Sequence, residues 1–452
     1  MQRFGIRFVF SVVFLSSVAL ITQAADPLKS SEQLPGFGSV TLRINVPSVN
    51  LTTQPQANEP DQPESGPELS LGECIAIALE RSPNLRAERA SLAATQSGFT
   101  ALMKFGTVGT LVSPDLSVRK QQAERGLAAA AASYQKVHND VVYDVTRLYY
   151  TAVYAKQQEA IAAEVTDYLE AMVKLVRTIL DTTADPKDLA GLNEGKWLTM
   201  RIGLAQAKEL RQTARIGRRQ ALAALRQVMA VDEANFPFRP KDTELPLMDQ
   251  RATVTKEKVV ELALAQRPEL ALAAAGVDVF RLEVYAQSRI PFRRVVPTFA
   301  AGADIHSRDI PQAVRTKDYR PGAITPEMPT QLVGSKFDRV CRAMNFSEKA
   351  DAIYENARSL VKLDAENAFY EFELASEKLR IAEQKFKDGK DLQQRTRDMQ
   401  DSVKEKDLLV QAYIVSIKAQ SDYVEAVYQH LLALAALERI TAGGICPKFP
   451  GR

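Results

Sequence analysis

The sequence contains one pattern twice. The run from Leu69 to Leu85 (LSLGECIAIALERSPNL) returns from Val254 to Leu270 (VTKEKVVELALAQRPEL), with Pro83 and Pro268 185 residues apart and Ser70 and Thr255 at the same offset. The halves also end alike: the ALAAL run of Ala221–Leu225 recurs at Ala433–Leu437, an offset of 212. A repeat near 200 residues is too long for a solenoid unit, so it indicates a duplicated half-molecule. Two similar halves in tandem imply pseudo-symmetry. That favours a wall, ring or channel over an enzyme pocket.

Charge excludes one class of partner. The chain of 452 residues carries 58 basic and 55 acidic side chains, a net +3 with no basic block, which gives no support to nucleic-acid binding. The first residues read as an export signal spanning 1–24: Arg3 and Arg7 precede the apolar run Phe8–Ile21, then Thr22-Gln23-Ala24 offers a small-x-small cleavage site. A signal-anchor helix is the alternative. No cysteine closely follows the run, so a lipid-anchored mature N-terminus is not expected. No other stretch reaches the roughly 18 apolar residues of a membrane-spanning helix. The cysteines are Cys74, Cys341 and Cys446. Cys74 sits at an apolar helical position taken by Val259 in the second half, so it reads as core packing. Cys341 with Cys446 is the one pair for which a disulfide is worth testing.

The pattern predicts a mainly α chain. A proline-rich extended leader spans 25–68. The first half, 69–231, reads as helices 70–104, 115–183 and 194–231, with a short strand region at 105–114. A linker covers 232–253. The second half, 254–441, reads as helices 255–287, 346–400 and 404–441, with a loop or strand region at 288–345, and a tail covers 442–452. Ser70 with Glu73 three residues on is a capping box; Thr255 repeats the cap, but Lys258 removes the box. Along 115–183 runs a seven-residue stripe of Tyr134, Val141, Leu148, Ala155, Ala162, Leu169 and Val176, the signature of coiled-coil core packing. At about 1.5 Å per residue this helix would reach roughly 100 Å. The second long helix shows Ile353, Leu360, Leu374 and Ile381 at related spacing, interrupted by Asn367.

These features resemble the TolC-like outer membrane efflux protein family. The opening motif of each half, Tyr149-Tyr150 and Phe369-Tyr370 on the long helices, Asp407-Leu408-Leu409 after the second hairpin, and the close from Tyr428 to Leu437 carry the resemblance over about residues 69–441. The resemblance implies tandem long coiled-coil α-hairpins that form a trimeric periplasmic α-barrel. It implies four strands per protomer in one membrane β-barrel, placement in the outer membrane with most of the chain in the periplasm, and a homotrimer. A periplasmic adaptor and an inner-membrane transporter are the implied partners. The sequence departs from the family at the strands. A spanning strand takes about 9–11 residues, and the first half offers only Gly98–Pro114, while the second loop is rich in proline. A small or reduced β-barrel portion is therefore expected.

No chemistry-bearing constellation stands out. His138, His306 and His430 match no metal spacing, and no phosphate loop or nucleophile elbow appears. No enzyme activity, cofactor or metal is expected. The acidic residues at the hairpin tips are the candidate site: Asp185 and Asp188 near the first, Asp398 and Asp401 near the second. The resemblance implies that the aspartates near the second tip line a periplasmic entrance, where rings of carboxylates select cations. The competing reading is a solvated turn, in which Asp is favoured anyway. Two functions follow: a passive exit duct of an efflux pump or type I secretion system, or a barrel-reduced periplasmic scaffold without channel activity.

Overall fold

The computed structural model describes residues 66–105, 113–182, 193–248, 254–290, 335–398 and 406–445. The signal region, almost all of the leader, the core of the first strand region, most of the second, and the last seven residues with Cys446 lie outside them.

Eight helices carry the described residues. A two-residue strand β1 (Glu68–Leu69) leads into α1 (Leu71–Arg81) and α2 (Pro83–Met103). The first long helix, α3 (Leu116–Thr182), is followed by α4 (Glu194–Met229) and β2 (Arg239–Pro240). The second half gives α5 (Lys256–Gln266), α6 (Pro268–Arg289), the second long helix α7 (Lys336–Asp398) and α8 (Lys406–Ile440).

Local chemistry explains the boundaries. Ser70 Oγ accepts from the Glu73 amide at 3.4 Å, and the Glu73 carboxylate accepts from the Ser70 amide at 2.7 Å, so the box closes. Those bonds hold the Glu73 carboxyl below its ordinary range. Thr255 caps α5 through the Lys258 amide at 3.4 Å. The helices expected over 70–104, with a bend at Pro83, and over 255–287 are each split at the proline. Ser82 and Arg267 leave the helical region, and Pro83 and Pro268 then open new helices. The residue before proline is pushed away from helical dihedrals, while proline fits a first turn that needs no N–H. Gly443 at φ 86° ends α8, with its amide bonded to the Glu438 carbonyl at 2.7 Å.

The halves pack as two antiparallel hairpins. α3 runs along α4, and α7 along α8; α6 lies between α3 and α7, α2 flanks α3 and α5 flanks α7. One continuous core runs through Val145, Tyr149, Val153, Leu225, Val361, Leu379, Leu431 and Leu434. Cys74 is fully buried there, and burial pushes its thiol pKa up to about 12, so it packs as a small apolar group. The span expected as a plain linker contributes β2, which pairs in parallel with β1 through Glu68↔Arg239 and Leu69↔Pro240. Tyr149 Oη secures this ladder to α3, donating toward the Leu69 carbonyl at 3.2 Å and the Asp242 carboxylate at 3.0 Å.

Two expectations about the second long helix fail. It begins at Lys336, ten residues before the expected 346. Ser335 and Asp338 cap it reciprocally, at 3.0 Å from the Ser335 amide to the carboxylate and 3.3 Å from the Asp338 amide to Ser335 Oγ. The seam is also not where the bulky stripe pointed. Leu374 and Ile381 are 57% and 44% exposed. The buried face carries Ala368, Ala375, Ala382 and Gly389 every seven residues, with Phe372 and Leu379 between them. Small side chains let the two axes approach closely. At Gly389 a Cβ would sit 3.2 Å from both Ser416 Cα and Ala419 Cβ of α8.

Candidate functional site

The described chain converges at one end of the bundle, where it leaves for residues 106–112 and 291–334. Asp115 and Arg119 open α3; Glu283 and Gln287 close α6; Arg339 opens α7. All five side chains are buried. Arg119 Nε donates to Asp115 Oδ2 at 2.9 Å, and its Nη1 donates to Gln122 Oε1 at 2.8 Å and to Glu283 Oε2. Gln122 Nε2 reaches Glu283 Oε2 at 2.9 Å, and Gln287 Nε2 reaches Glu283 Oε1 at 2.6 Å. Arg339 Nε donates to Gln287 Oε1 at 3.1 Å and its Nη2 to the Ile290 carbonyl at 2.7 Å.

Two buried cations thus meet two buried carboxylates. Burial works against the Arg119 charge, but Glu283 and Asp115 outweigh it and hold the guanidinium above its ordinary pKa. At the edge of the cluster Lys120 Nζ holds the Phe105 carbonyl at 2.6 Å, and Arg289 Nη1 donates to Ser117 Oγ at 2.6 Å. The first turn of α3 therefore ties down the chain where it leaves α2 and α6, and Arg339 ties the returning α7 to the end of α6. Sequence reading missed this network. Its trace was present, because Asp115, Arg119 and Gln122 share one helical face and Glu283 and Gln287 share another.

The opposite end carries the hairpin tips. Arg177 on α3 pairs with Asp181 at 3.1 Å and Glu194 at 3.3 Å. Two guanidinium groups lie over the ring of Trp197 on α4, Arg177 at 5.0 Å and Arg201 at 4.7 Å from its centroid. On α7 the last residue, Asp398, is exposed and accepts from Gln394 Nε2 at 2.9 Å. Arg395 and Arg397 beside it are exposed too. Asp185, Asp188 and Asp401 lie outside the described residues.

No family model matches the sequence. No curated protein matches it by sequence either. Solved structures do match. The open-state outer membrane channel MtrE of Neisseria gonorrhoeae gives a TM-score of 0.61 at 16% identity, over 83% of this chain and 89% of that one. The outer membrane channel CmeC of Campylobacter jejuni gives 0.61 at 11%, over 84% and 86%. The outer membrane protein VceC of Vibrio cholerae gives 0.60 at 12%, over 83% and 97%. The chain has the TolC-like outer membrane channel fold.

Within this TolC-like fold the first-half stripe is unevenly placed. Val141, Leu169 and Val176 are buried, as is Ala155, while Tyr134 and Leu148 are half-buried. The aligned aromatic pairs diverge as well. Tyr149 and Tyr150 are sealed in the core, but Tyr370 is half exposed beneath Lys256, whose Nζ lies 6.0 Å from its ring centroid. Leu363, Tyr370, Leu374 and Ile381 form an exposed apolar face on α7, at spacings that share one side of a helix. Among the described residues no group of three His, Cys, Asp or Glu is arranged to hold a metal ion. No described helix is long and apolar enough to cross a membrane.

Proposed function

We propose that this chain is the outer membrane exit channel of a tripartite efflux pump or type I secretion system. It acts as a homotrimer and is passive, with energy supplied by an inner-membrane transporter. A periplasmic adaptor docks at the hairpin tips. The fold shared with MtrE and CmeC over most of both chains carries this reading. The apolar face on α7 supports the trimer, since contiguous exposed apolar surface on a folded chain marks an interaction site. The test is conductance of detergent-purified protein in planar bilayers, together with its mass in solution. A monomer that forms no pores would sink the proposal.

One observation favours a second reading, a barrel-reduced periplasmic scaffold. α2 ends at Met103 and α3 begins at Leu116, leaving twelve residues between them. Two spanning strands of about 9–11 residues each do not fit in that length. The second insertion, from Ile290 to Ser335, is 46 residues long and has room for them. Extraction separates the two. A protein released from membranes by carbonate without detergent is the scaffold; one that stays and shifts mobility on heating is the channel.

A further inference from the structure

The end of the bundle held by the Arg119 network is unlike the rest of the surface. Five large apolar side chains stand in solvent there: Met103 at the end of α2 and Phe105 just beyond it, Tyr285 near the end of α6, Phe337 and Met344 at the start of α7. Phe337, at 76%, is the most exposed large apolar side chain among the described residues. Interleaved with them are the exposed cations Lys104, Arg289, Lys336 and Arg342 and the exposed acid Asp338; beside Tyr285 the acids Glu124 and Asp278 are matched by Arg125 and Arg281. The other charges in these turns, Asp115, Arg119, Glu283 and Arg339, are buried in the network and sum to zero.

We propose that this collar rests on an anionic phospholipid surface, with its aromatic and apolar side chains at headgroup depth and its cations on lipid phosphates. Three observations carry it. The collar surrounds the roots of both undescribed segments, which the network gathers to one place. Aromatic residues mixed with Lys and Arg are the signature of a membrane–water interface. The local charge is positive, complementary to an anionic leaflet. A subunit seam would instead exclude charge from its centre. The proposal rests on the reading of the chain as an outer membrane protein, and it adds that the helical body touches lipid through its own helices.

The sole tryptophan makes the test clean, because Trp197 lies at the far end of the bundle. Full-length protein is reconstituted in phosphatidylethanolamine–phosphatidylglycerol vesicles containing phospholipids brominated near the headgroup end of the acyl chain. Phe337→Trp and Tyr285→Trp are each made in a Trp197→Phe background. Both variants should lose most of their emission to bromine, while the wild-type protein keeps its own. Unquenched variants that still conduct would overturn the collar and leave the channel standing. Unquenched variants that neither conduct nor float with vesicles would overturn the outer membrane reading and the collar with it. Equal quenching in purely zwitterionic vesicles would overturn the role given to the cations.

Discussion

Arg119 Nη2 donates to Glu283 Oε1 at 3.2 Å across 164 residues of sequence, and water reaches neither side chain appreciably. Removing one partner strands the other charge in a dry site, which costs about 3–5 kcal/mol; replacing both with apolar groups of similar size removes that penalty. Arg119→Met and Glu283→Met should each lower the melting temperature of the helical body markedly. The double variant should recover part of the loss, since Asp115 remains buried without its Arg119 partner. Circular dichroism melts of the three proteins read this directly, and additive losses would show that the pair is not coupled.

Adjacent positions on α7 should respond in opposite ways. Ala375 lies in the seam against α8, so Ala375→Leu overpacks it and costs about 1–3 kcal/mol of protomer stability. Leu374 faces outward at 57% exposure, so Leu374→Asp leaves the protomer fold intact and abolishes self-association. Light scattering beside thermal melts separates the two outcomes. A Leu374→Asp protein that keeps its oligomeric mass would remove α7 from the subunit interface.

The same pair of residues shows where sequence reading reaches and where it stops. The caps at Ser70 and Thr255 depend on neighbours within a few residues, and they were legible. The α7 seam was not, because Ala368, Ala375, Ala382 and Gly389 carry almost no hydropathy signal. Leu374 and Ile381, on another face, carry a strong one. The root network failed to register for a different reason. Asp115, Arg119, Glu283 and Arg339 look like ordinary surface charges until three helix ends meet, and only the fold decides that they meet. At the candidate tip the sequence placed Asp398 at a helix end, but it gave no sign of the Arg177–Trp197–Arg201 stack built across α3 and α4.

Glu425 on α8 gives the fold a pH dependence. Burial raises its pKa above the ordinary 4.5, Asp422 adds to the rise, and Lys378 partly opposes it. The folded protein therefore holds that proton more tightly than the unfolded chain. Its contribution is favourable while the proton is bound and is lost as pH climbs from about 4.5 through the folded value. Glu425→Gln should flatten that part of the stability profile. It should be stabilising at neutral pH and without effect well below 4.5. Denaturant melts across that range check it, and a variant less stable at neutral pH would show that the carboxylate is a net favourable partner.

Asp398 ends α7 exposed to solvent, accepting one hydrogen bond from Gln394, with Arg395 and Arg397 on the same turn. Around a threefold axis each such carboxylate becomes a ring, and rings of carboxylates favour cations and bind multivalent ones tightly. The exposed arginines oppose this by screening, so the field at the tip depends on how many carboxylates remain unneutralised. Asp398→Ala combined with Asp401→Ala should lower cation selectivity and weaken block by trivalent cations added from the tip side. Arg395→Ala should move both quantities the other way. Reversal potentials in planar bilayers under a salt gradient measure selectivity, and titration of the trivalent ion measures block. If the aspartate variant changes neither, the tip is a solvated turn and the pore selects elsewhere.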